Sequence, residues 1–513
     1  MVKGLKTKLE TVATWLLYST ALVPLLYSGN FFYPFIVPRT VFFRIIIEIV
    51  LIIFLVLWYK YGFKEKTREI LRRNYLFLIL TMYIVLHIVS GLFGASWINS
   101  LFGDIERSWG IYTLMHAYLF YVLARTFFNR KSWRKYFHAL LGSTSIVALY
   151  GIIQYYPNVF KIELFNSGPG RILSTLGNPA YVSIVLLFGI CIALYLSFSS
   201  KEKNWKYFYW AIAVIQFFAF TLTEIRGAYL GLVGGLIVAG ILRVITSKSK
   251  KVKTYSAGFV IIILIGLSIL FISGKDLSKN SIPIISRLSA ISLESSTSIT
   301  RLIGWKSSLN GFSENPILGV GPENFGVVFN KYFDPLFYTY AAREPFFDRA
   351  HNHFLDLLST VGTLGLVSYL LLIFAIYWYL YRGYKNEKLL KKEFQLFAGI
   401  FVAYFIHLFF VFDDINSLLI FFGIIGFLEY KISEDNIFEF SESESKPTQT
   451  LFRIPVSAFF IILVVWAGFG INTNIVQSSQ NTVKGSFAQE MYDLESASKF
   501  YIASLSDSRF PRV

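Results

Sequence analysis

A chain of 513 residues that is 55% hydrophobic and only 15% charged, with a mean hydropathy of +0.55, cannot cover the surface of several water-soluble domains. Its single cysteine, Cys191, excludes an intrachain disulfide framework. The formal net charge of +17 points to nucleic-acid binding only until the charges are located.

Thirteen runs approach the roughly 20 mainly apolar residues that a membrane helix needs. They lie near residues 12–28, 41–59, 75–93, 109–128, 136–155, 179–198, 207–223, 227–245, 256–273, 360–380, 394–411, 415–430 and 454–472. The expected fold class is an all-α polytopic membrane protein of about 13 transmembrane helices, with a large, partly helical extracytoplasmic loop between spans nine and ten. Residues 1–30 resemble a signal peptide, since Lys3, Lys6 and Lys8 precede an apolar run. Leu26, Tyr27 and Ser28 make a poor cleavage site, which predicts a retained first helix.

Alternate gaps share the Lys and Arg residues unequally. Residues 1–11, 60–74, 129–135, 199–206, 246–255, 381–393 and 431–453 hold 28, whereas the short gaps 29–40, 94–108, 156–178, 224–226 and 412–414 hold five. The positive side faces the cytoplasm, so the N-terminus is expected inside and, after thirteen spans, the C-terminus outside. The basic excess thereby belongs to topology, and no nucleic-acid partner is expected. The predicted organisation is residues 1–273 as the first nine spans, 274–353 as an extracytoplasmic loop, and 354–430 as spans ten to twelve. Residues 431–453 form an acidic cytoplasmic linker, flexible over 433–446, followed by the last span at 454–472 and an extracytoplasmic helical tail at 473–513. A structureless loop of the size of 274–353 is improbable, so it is expected to fold over the outer face.

Charges inside the bilayer are costly and often functional. Arg44 and Glu48 stand at i, i+4 in span two, where they are expected to pair on one helix face, as a structural neutralisation or as a transport site. The other candidates fall on the outer side. In Thr221-Leu-Thr-Glu-Ile-Arg-Gly-Ala-Tyr the gap between spans seven and eight is a tight hairpin. It carries Glu224 and Arg226; the arginine either snorkels to the headgroups or grips a phosphate with its planar fork. The glycine- and proline-rich run at 168–181 brings Arg171 and Asn178 to the same face. In the long loop, residues 297–306 read as a short Ser- or Thr-capped helix presenting Arg301 and Trp305 one turn apart. The aromatic run from Phe329 to Phe347 reads as a bilayer-lying surface or as a wall for a lipid tail or sugar rings.

The sharpest segment is residues 350–366. Phe354, Leu355, Leu358 and Val361 form a helical stripe, which places His351 at or just before a helix N-terminus. The positive end of that dipole favours neutral imidazole, the form a general base needs. Asn352 follows it, and Gly362 and Gly365 permit close backbone packing. His351 and His353 are the only histidines in the external segments, and no metal-ligand spacing accompanies them. Cationic forks and a neutral base on one face suit displacement of a lipid diphosphate by an activated hydroxyl, because charge stabilisation alone makes diphosphate a good leaving group.

At these residues the sequence resembles the O-antigen ligase and Wzy-type O-antigen polymerase superfamily, the O-antigen ligase-like membrane proteins. The resemblance spans roughly residues 105–430 and rests on GRILSTLGNPAY at 170–181, EIRGAYLGL at 224–232, and TRLIGWKSSL through NPILGVGPENF at 300–325. The family's ligase pattern (His, then Asn, Ser or Gln, nine residues, Gly, two residues, and Gly, Thr or Tyr) is met by His351, Asn352, Gly362 and Gly365. The resemblance implies an inverting glycan transfer from undecaprenyl diphosphate in a bacterial inner or plasma membrane, with His351 as base and Arg226 and Arg301 on the diphosphate. Arg171 is a further diphosphate candidate. No metal or other cofactor is implied. The expected partners are the lipid-linked donor, a glycan, lipid or protein acceptor, and membrane lipids. Glu224 departs from the small polar residue expected two positions before Arg226, where it either weakens phosphate binding by pairing with Arg226 or orients it. Repeat-unit polymerisation is the nearest alternative, followed by a solute or bicarbonate transporter and a non-catalytic scaffold for glycan assembly.

Overall fold

The computed structural model describes residues 2–507 apart from Ile105, Glu163, 165–169, 273–281, Ala290, 292–293, 342–345 and 443–446. The described chain is mainly helical, with one isolated bridge between Phe63 and Phe440 and no strand among the described residues. It is an all-α polytopic membrane protein. Among the described residues nine helices are long and apolar enough to cross a bilayer, including Val37–Tyr61, Pro179–Ser199, Arg226–Thr246 and Gly362–Lys385. Four further expected spans are helical but shorter or more polar. Ile111–Phe127 has 17 residues, Val2–Ser19 carries Lys6, Lys8 and Glu10, Lys203–Thr221 carries Trp205, Tyr207 and Gln216, and Lys391–Leu408 opens on Lys391, Lys392 and Glu393. Aromatic and charged residues at such ends match the polarity of the headgroup region.

The chain forms two compact units, one of residues 1–92, 96–139 and 418–513, the other of residues 93–95 and 140–417. In the first, the Val37–Tyr61 helix packs against Val2–Ser19, Ile111–Phe127 and Pro447–Ala467. Arg44 and Glu48 do not bond each other as the i, i+4 spacing suggests. Arg44 donates to the Ser108 carbonyl at 3.0 Å and to Thr113, while Glu48 accepts from Tyr112 (2.7 Å) and Asn472 (3.2 Å) and meets His116 at 3.1 Å. Each charge thus finds its partners on neighbouring elements: Glu48 is met by three side chains, whereas Arg44 uses only Nη2, its Nε and Nη1 being buried without a hydrogen-bond partner among the described residues. The acidic segment expected to be a flexible linker is tied down over its described part. Arg125, buried against Glu429, donates to the Asp435 carbonyl at 2.7 Å. Lys64 N–H donates to the Glu439 carbonyl at 2.8 Å, and Ser441 N–H to the Gly62 carbonyl at 3.1 Å. The tail forms two helices, Thr473–Glu490 and Leu494–Asp507, clasped by Ser478 Oγ donating to the Ser504 carbonyl at 3.0 Å.

In the second unit, Arg226–Thr246 and Lys391–Leu408 pack backbone to backbone. A methyl group on Gly399 would lie 2.8 Å from the Gly235 carbonyl, so both positions exclude larger side chains. The segment expected to fold over one face contains the helices Pro283–Ser289, Ser296–Glu314, Phe325–Lys331 and Leu336–Tyr340. They enclose a core of Ile303, Phe325, Val328, Phe329, Phe337 and Phe347. Phe329, Phe337 and Phe347 of the aromatic run are therefore interior packing, neither a bilayer surface nor a ligand wall. Phe329 and Phe337 are fully buried, whereas Tyr338 and Tyr340 face outward.

Candidate functional site

Three helix starts and one turn build a cavity of about 410 Å³ in the second unit. The first start is Pro179–Ser199. Asn178 caps it by accepting the Ala180 N–H at 2.9 Å, which makes Asn178 a framework residue; Ala180 lines the cavity. The loop before it is pinned by Gln154, whose side-chain oxygen accepts the Leu173 and Ser174 N–H groups at 3.0 and 2.8 Å. It is also pinned by Ile172 N–H donating to the Leu222 carbonyl at 3.2 Å. That bond brings Arg171 beside the 223–225 turn. Gly168 and Pro169, at the start of the same motif, lie outside the described residues.

The second start is Arg226–Thr246. Glu224 adopts a φ of +54°, in the left-handed region, and so reverses the chain between the two helices. Its cap position is Ile225, which has no capping side chain, so the first-turn N–H groups around Arg226 and Gly227 are left for a ligand. Glu224 does not pair with Arg226. It accepts from Arg287 Nε at 2.8 Å and from Arg287 Nη2. The third start is Ser296–Glu314, longer than the short helix expected and capped by Ser295, whose hydroxyl accepts the Ser298 N–H at 3.3 Å. Arg301 and Trp305 on this helix both line the cavity, one turn apart as predicted.

Arg171, Arg226, Arg287 and Arg301 thus share one cavity with a single carboxylate, Glu224. Burial, then the positive charges of Arg226 and Arg171, lowers Arg301 from its ordinary range; burial, then Arg287, lowers Arg171. The cations repel each other, which is the electrostatic state of an anion site. Two further buried atoms lining the cavity, Trp305 Nε1 and His407 Nδ1, have no hydrogen-bond partner among the described residues. Arginine forks plus helix N-termini are the combination that holds phosphate oxygens.

His351 is not on the cavity wall. It stands beside it: Val411 lines the cavity, and the next residue, Phe412, meets the His351 ring edge-on at 5.4 Å. Phe347 covers the other side of the ring at 4.3 Å and packs on Gly304, next to Trp305. His351 has a φ of +52°, a conformation that an L residue keeps only when its surroundings impose it. The imposing contacts are visible. Asp356 accepts the Ala350 N–H at 3.0 Å and Arg349 Nη1 at 3.1 Å, and Arg349 also binds Glu323. Asn352 caps the His353–Thr360 helix by accepting from Phe354 and Leu355 N–H at 3.0 and 3.2 Å. His351 Nδ1 lies 3.2 Å from the Arg349 carbonyl. A carbonyl only accepts, so Nδ1 carries the hydrogen and the neutral ring has its lone pair on Nε2.

The helix expected to run from His351 into a span breaks at Val361 and Gly362. Gly362 has a φ of +73°, and a methyl group there would meet the Ile317 carbonyl. Gly319, also left-handed at +67°, faces Thr360 in the same way. Thr363 N–H donates to the Pro316 carbonyl at 2.8 Å, and Gly321 N–H to the Thr360 carbonyl at 2.8 Å. The NPILGVG segment therefore clamps the break and fixes the His351 helix; Gly365, one turn on, packs against Val361.

Asp413 joins the picture next to Phe412. It is buried, accepts Tyr404 O–H at 2.7 Å and Ser417 O–H at 2.9 Å, and burial pushes its carboxyl up to about 7. Arg287, Arg349, Asp356, His407 and Asp413 were not singled out by motif. Arg287 sits in a seven-residue helix without periodicity, and Asp413 in the three-residue gap between two apolar runs. The one available signal was that Asp413 and Asp414 interrupt a long stretch free of charge.

Residues 211–370 match the family model described as O-antigen ligase. No curated protein matches the chain.

Proposed function

We propose that the protein, whose residues 211–370 match the family model described as O-antigen ligase, is a membrane glycosyltransferase of the O-antigen ligase-like superfamily that moves a glycan from undecaprenyl diphosphate to an acceptor hydroxyl. The observation that carries this reading is the convergence of Arg171, Arg226 and Arg301 in one cavity, with His351 Nε2 as the basic nitrogen beside it. The diphosphate lies among the guanidinium groups and the uncapped N–H groups at Arg226. Arg287 neutralises Glu224, so the carboxylate does not compete for Arg226.

In the reaction, His351 Nε2 takes the proton of the acceptor hydroxyl while its oxygen forms a bond to the anomeric carbon. The bond from that carbon to the diphosphate oxygen breaks on the opposite side, which inverts the centre. The negative charge that develops on the leaving diphosphate is met by guanidinium forks already in place, so little reorganisation accompanies the step. The chemistry asks for no metal or nucleotide. The outer-face placement of the site and of the C-terminus follows from the Lys and Arg bias of the loops. Ligation is favoured over repeat-unit polymerisation by the complete pattern at His351, Asn352, Gly362 and Gly365.

The test is reconstitution of the full chain with a lipid-linked glycan and separate acceptors (a core-type glycolipid, a protein, and a second lipid-linked repeat unit), read by mass spectrometry. Transfer to one acceptor with release of undecaprenyl diphosphate is expected. Solute flux across the vesicle without any glycan product would instead establish the transporter alternative.

A further inference from the structure

At the other end of the Arg226–Thr246 helix lies a second cavity, of about 460 Å³, with a different character. Its walls come from that helix, Lys250–Ile272, Pro179–Ser199 and Lys391–Leu408. Gly240 lets the first two approach, since a methyl group there would lie 2.6 Å from Val260 Cγ2. The floor is apolar, formed by Leu236, Phe259 and Leu396. The mouth holds two cations, Arg243 and Lys392, which come from helices far apart in sequence.

The charges at this mouth are uncompensated. No Asp or Glu lines the cavity. Among the described residues, Arg243 and Lys392 make no ion pair. The neighbouring carboxylate, Glu393, is turned away to accept the Leu390 N–H at 2.9 Å. Lys392, an exposed residue, has its ammonium over the Phe198 ring at 4.8 Å, which directs it toward the mouth. Tyr255 and Gln395 add polar groups beside the cations. The flanking loops and helix ends carry Lys248, Lys250, Lys251 and Lys253, and Lys385, Lys388 and Lys391, the pattern that marks a cytoplasmic side.

A polar, cationic mouth over an apolar floor, between helices at the membrane surface, matches a lipid with an anionic headgroup and acyl chains. The larger cavity in the first unit does not match it: Lys6 and Lys64 there share the wall with Glu10 and Glu439, and Lys64 is paired with Glu439 at 3.0 Å. We infer that the cavity between Arg243 and Lys392 is a binding site for an anionic glycerophospholipid of the inner leaflet. The phosphodiester sits between guanidinium and ammonium, and the acyl chains lie along Leu236, Phe259 and Leu396. The site is separate from the diphosphate cavity and stands whether or not the chain transfers glycans.

The experiment uses the full chain in nanodiscs of phosphatidylcholine with and without phosphatidylglycerol, followed by native mass spectrometry of the lipid retained on delipidation. Wild type is expected to keep phosphatidylglycerol in preference to phosphatidylcholine. Arg243→Gln combined with Lys392→Gln is expected to lower that retention about tenfold. Lys201→Gln combined with Lys203→Gln, which removes the same charge elsewhere on that side, is expected to leave it unchanged. Both altered residues are exposed, so folding is preserved, and an unchanged melting temperature in pure phosphatidylcholine checks this. A charge-keeping Arg243→Lys variant is expected to retain most of the lipid. Equal retention of both lipids by wild type, or equal phosphatidylglycerol retention by wild type and the double variant, overturns the site. So does an equal loss in the Lys201/Lys203 variant, which would show that net charge alone attracts the lipid.

Discussion

Arg287 binds Glu224 through both Nε and Nη2, from a helix 63 residues further along the chain. The pair decides which cations in the cavity are available to an anion. With Glu224 engaged, Arg171, Arg226 and Arg301 are left to a ligand, and the turn that carries Arg226 is anchored at its left-handed residue.

Removing the anchor releases a carboxylate next to Arg226. Arg287→Ala is expected to weaken undecaprenyl diphosphate binding about tenfold, in the range of a lost charge-assisted contact. Glu224→Gln in the same protein is expected to restore most of it, because the competing charge is gone. Isothermal titration of the four members of this cycle measures the coupling. An undiminished affinity in Arg287→Ala would show that Glu224 does not compete.

Arg301 should not tolerate replacement by lysine. The ammonium keeps the charge but lacks the planar fork, so Arg301→Lys is expected to reduce donor affinity by roughly 1–2 kcal/mol, about five- to thirtyfold, while the melting temperature stays near wild type. The same titration run beside a thermal melt separates the two effects.

The clamp around the His351 helix predicts stability changes of two sizes. Asn352→Ala removes the helix cap and is expected to cost about 1 kcal/mol. Gly362→Ala adds a methyl group against the Ile317 carbonyl at a φ of +73°, and is expected to cost more, roughly 2 kcal/mol or above. Thermal unfolding in one detergent ranks them; the reverse order would mean that Gly362 relaxes without strain.

Asp413 makes stability depend on pH. Its carboxyl is raised from 3.8 to about 7 in the folded chain. Between those values the unfolded chain ionises and the folded chain does not, so folding loses stability as pH rises from about 4 to about 7 and is level above. The full effect is at most ~4 kcal/mol. Asp413→Asn keeps an acceptor for Tyr404 but cannot ionise, so its advantage over wild type is expected to grow across that window. Melting curves at pH 4, 5.5, 7 and 8 check this. A constant difference would assign Asp413 an ordinary carboxyl.

Much of this arrangement was legible in the residues because long periodicities and net charge are local signals. Apolar runs placed the helices, the hairpin fixed Arg226, and the stripe from Phe354 to Val361 put His351 ahead of a helix start. What escaped depends on tertiary pairing. Nothing near Glu224 in the sequence names Arg287 as its partner, and nothing near Arg44 turns it to Thr113 instead of Glu48. Phe329 and Phe337 read as part of a bilayer-lying surface or a ligand wall because composition does not say which side of an aromatic cluster faces solvent; the fold buries both. The interruption at Gly362 was hidden because the apolar stripe continues through it, while the carbonyl that requires a glycine comes from Ile317.

The central claim is that His351 acts on the acceptor proton and the arginines act on the donor. Single-turnover transfer by His351→Gln, with undecaprenyl diphosphate affinity measured on the same preparation, tests it most directly. The account predicts a transfer rate reduced at least about a hundredfold with donor affinity unchanged. Transfer at the wild-type rate, or a loss of transfer matched by an equal loss of donor binding, would contradict it.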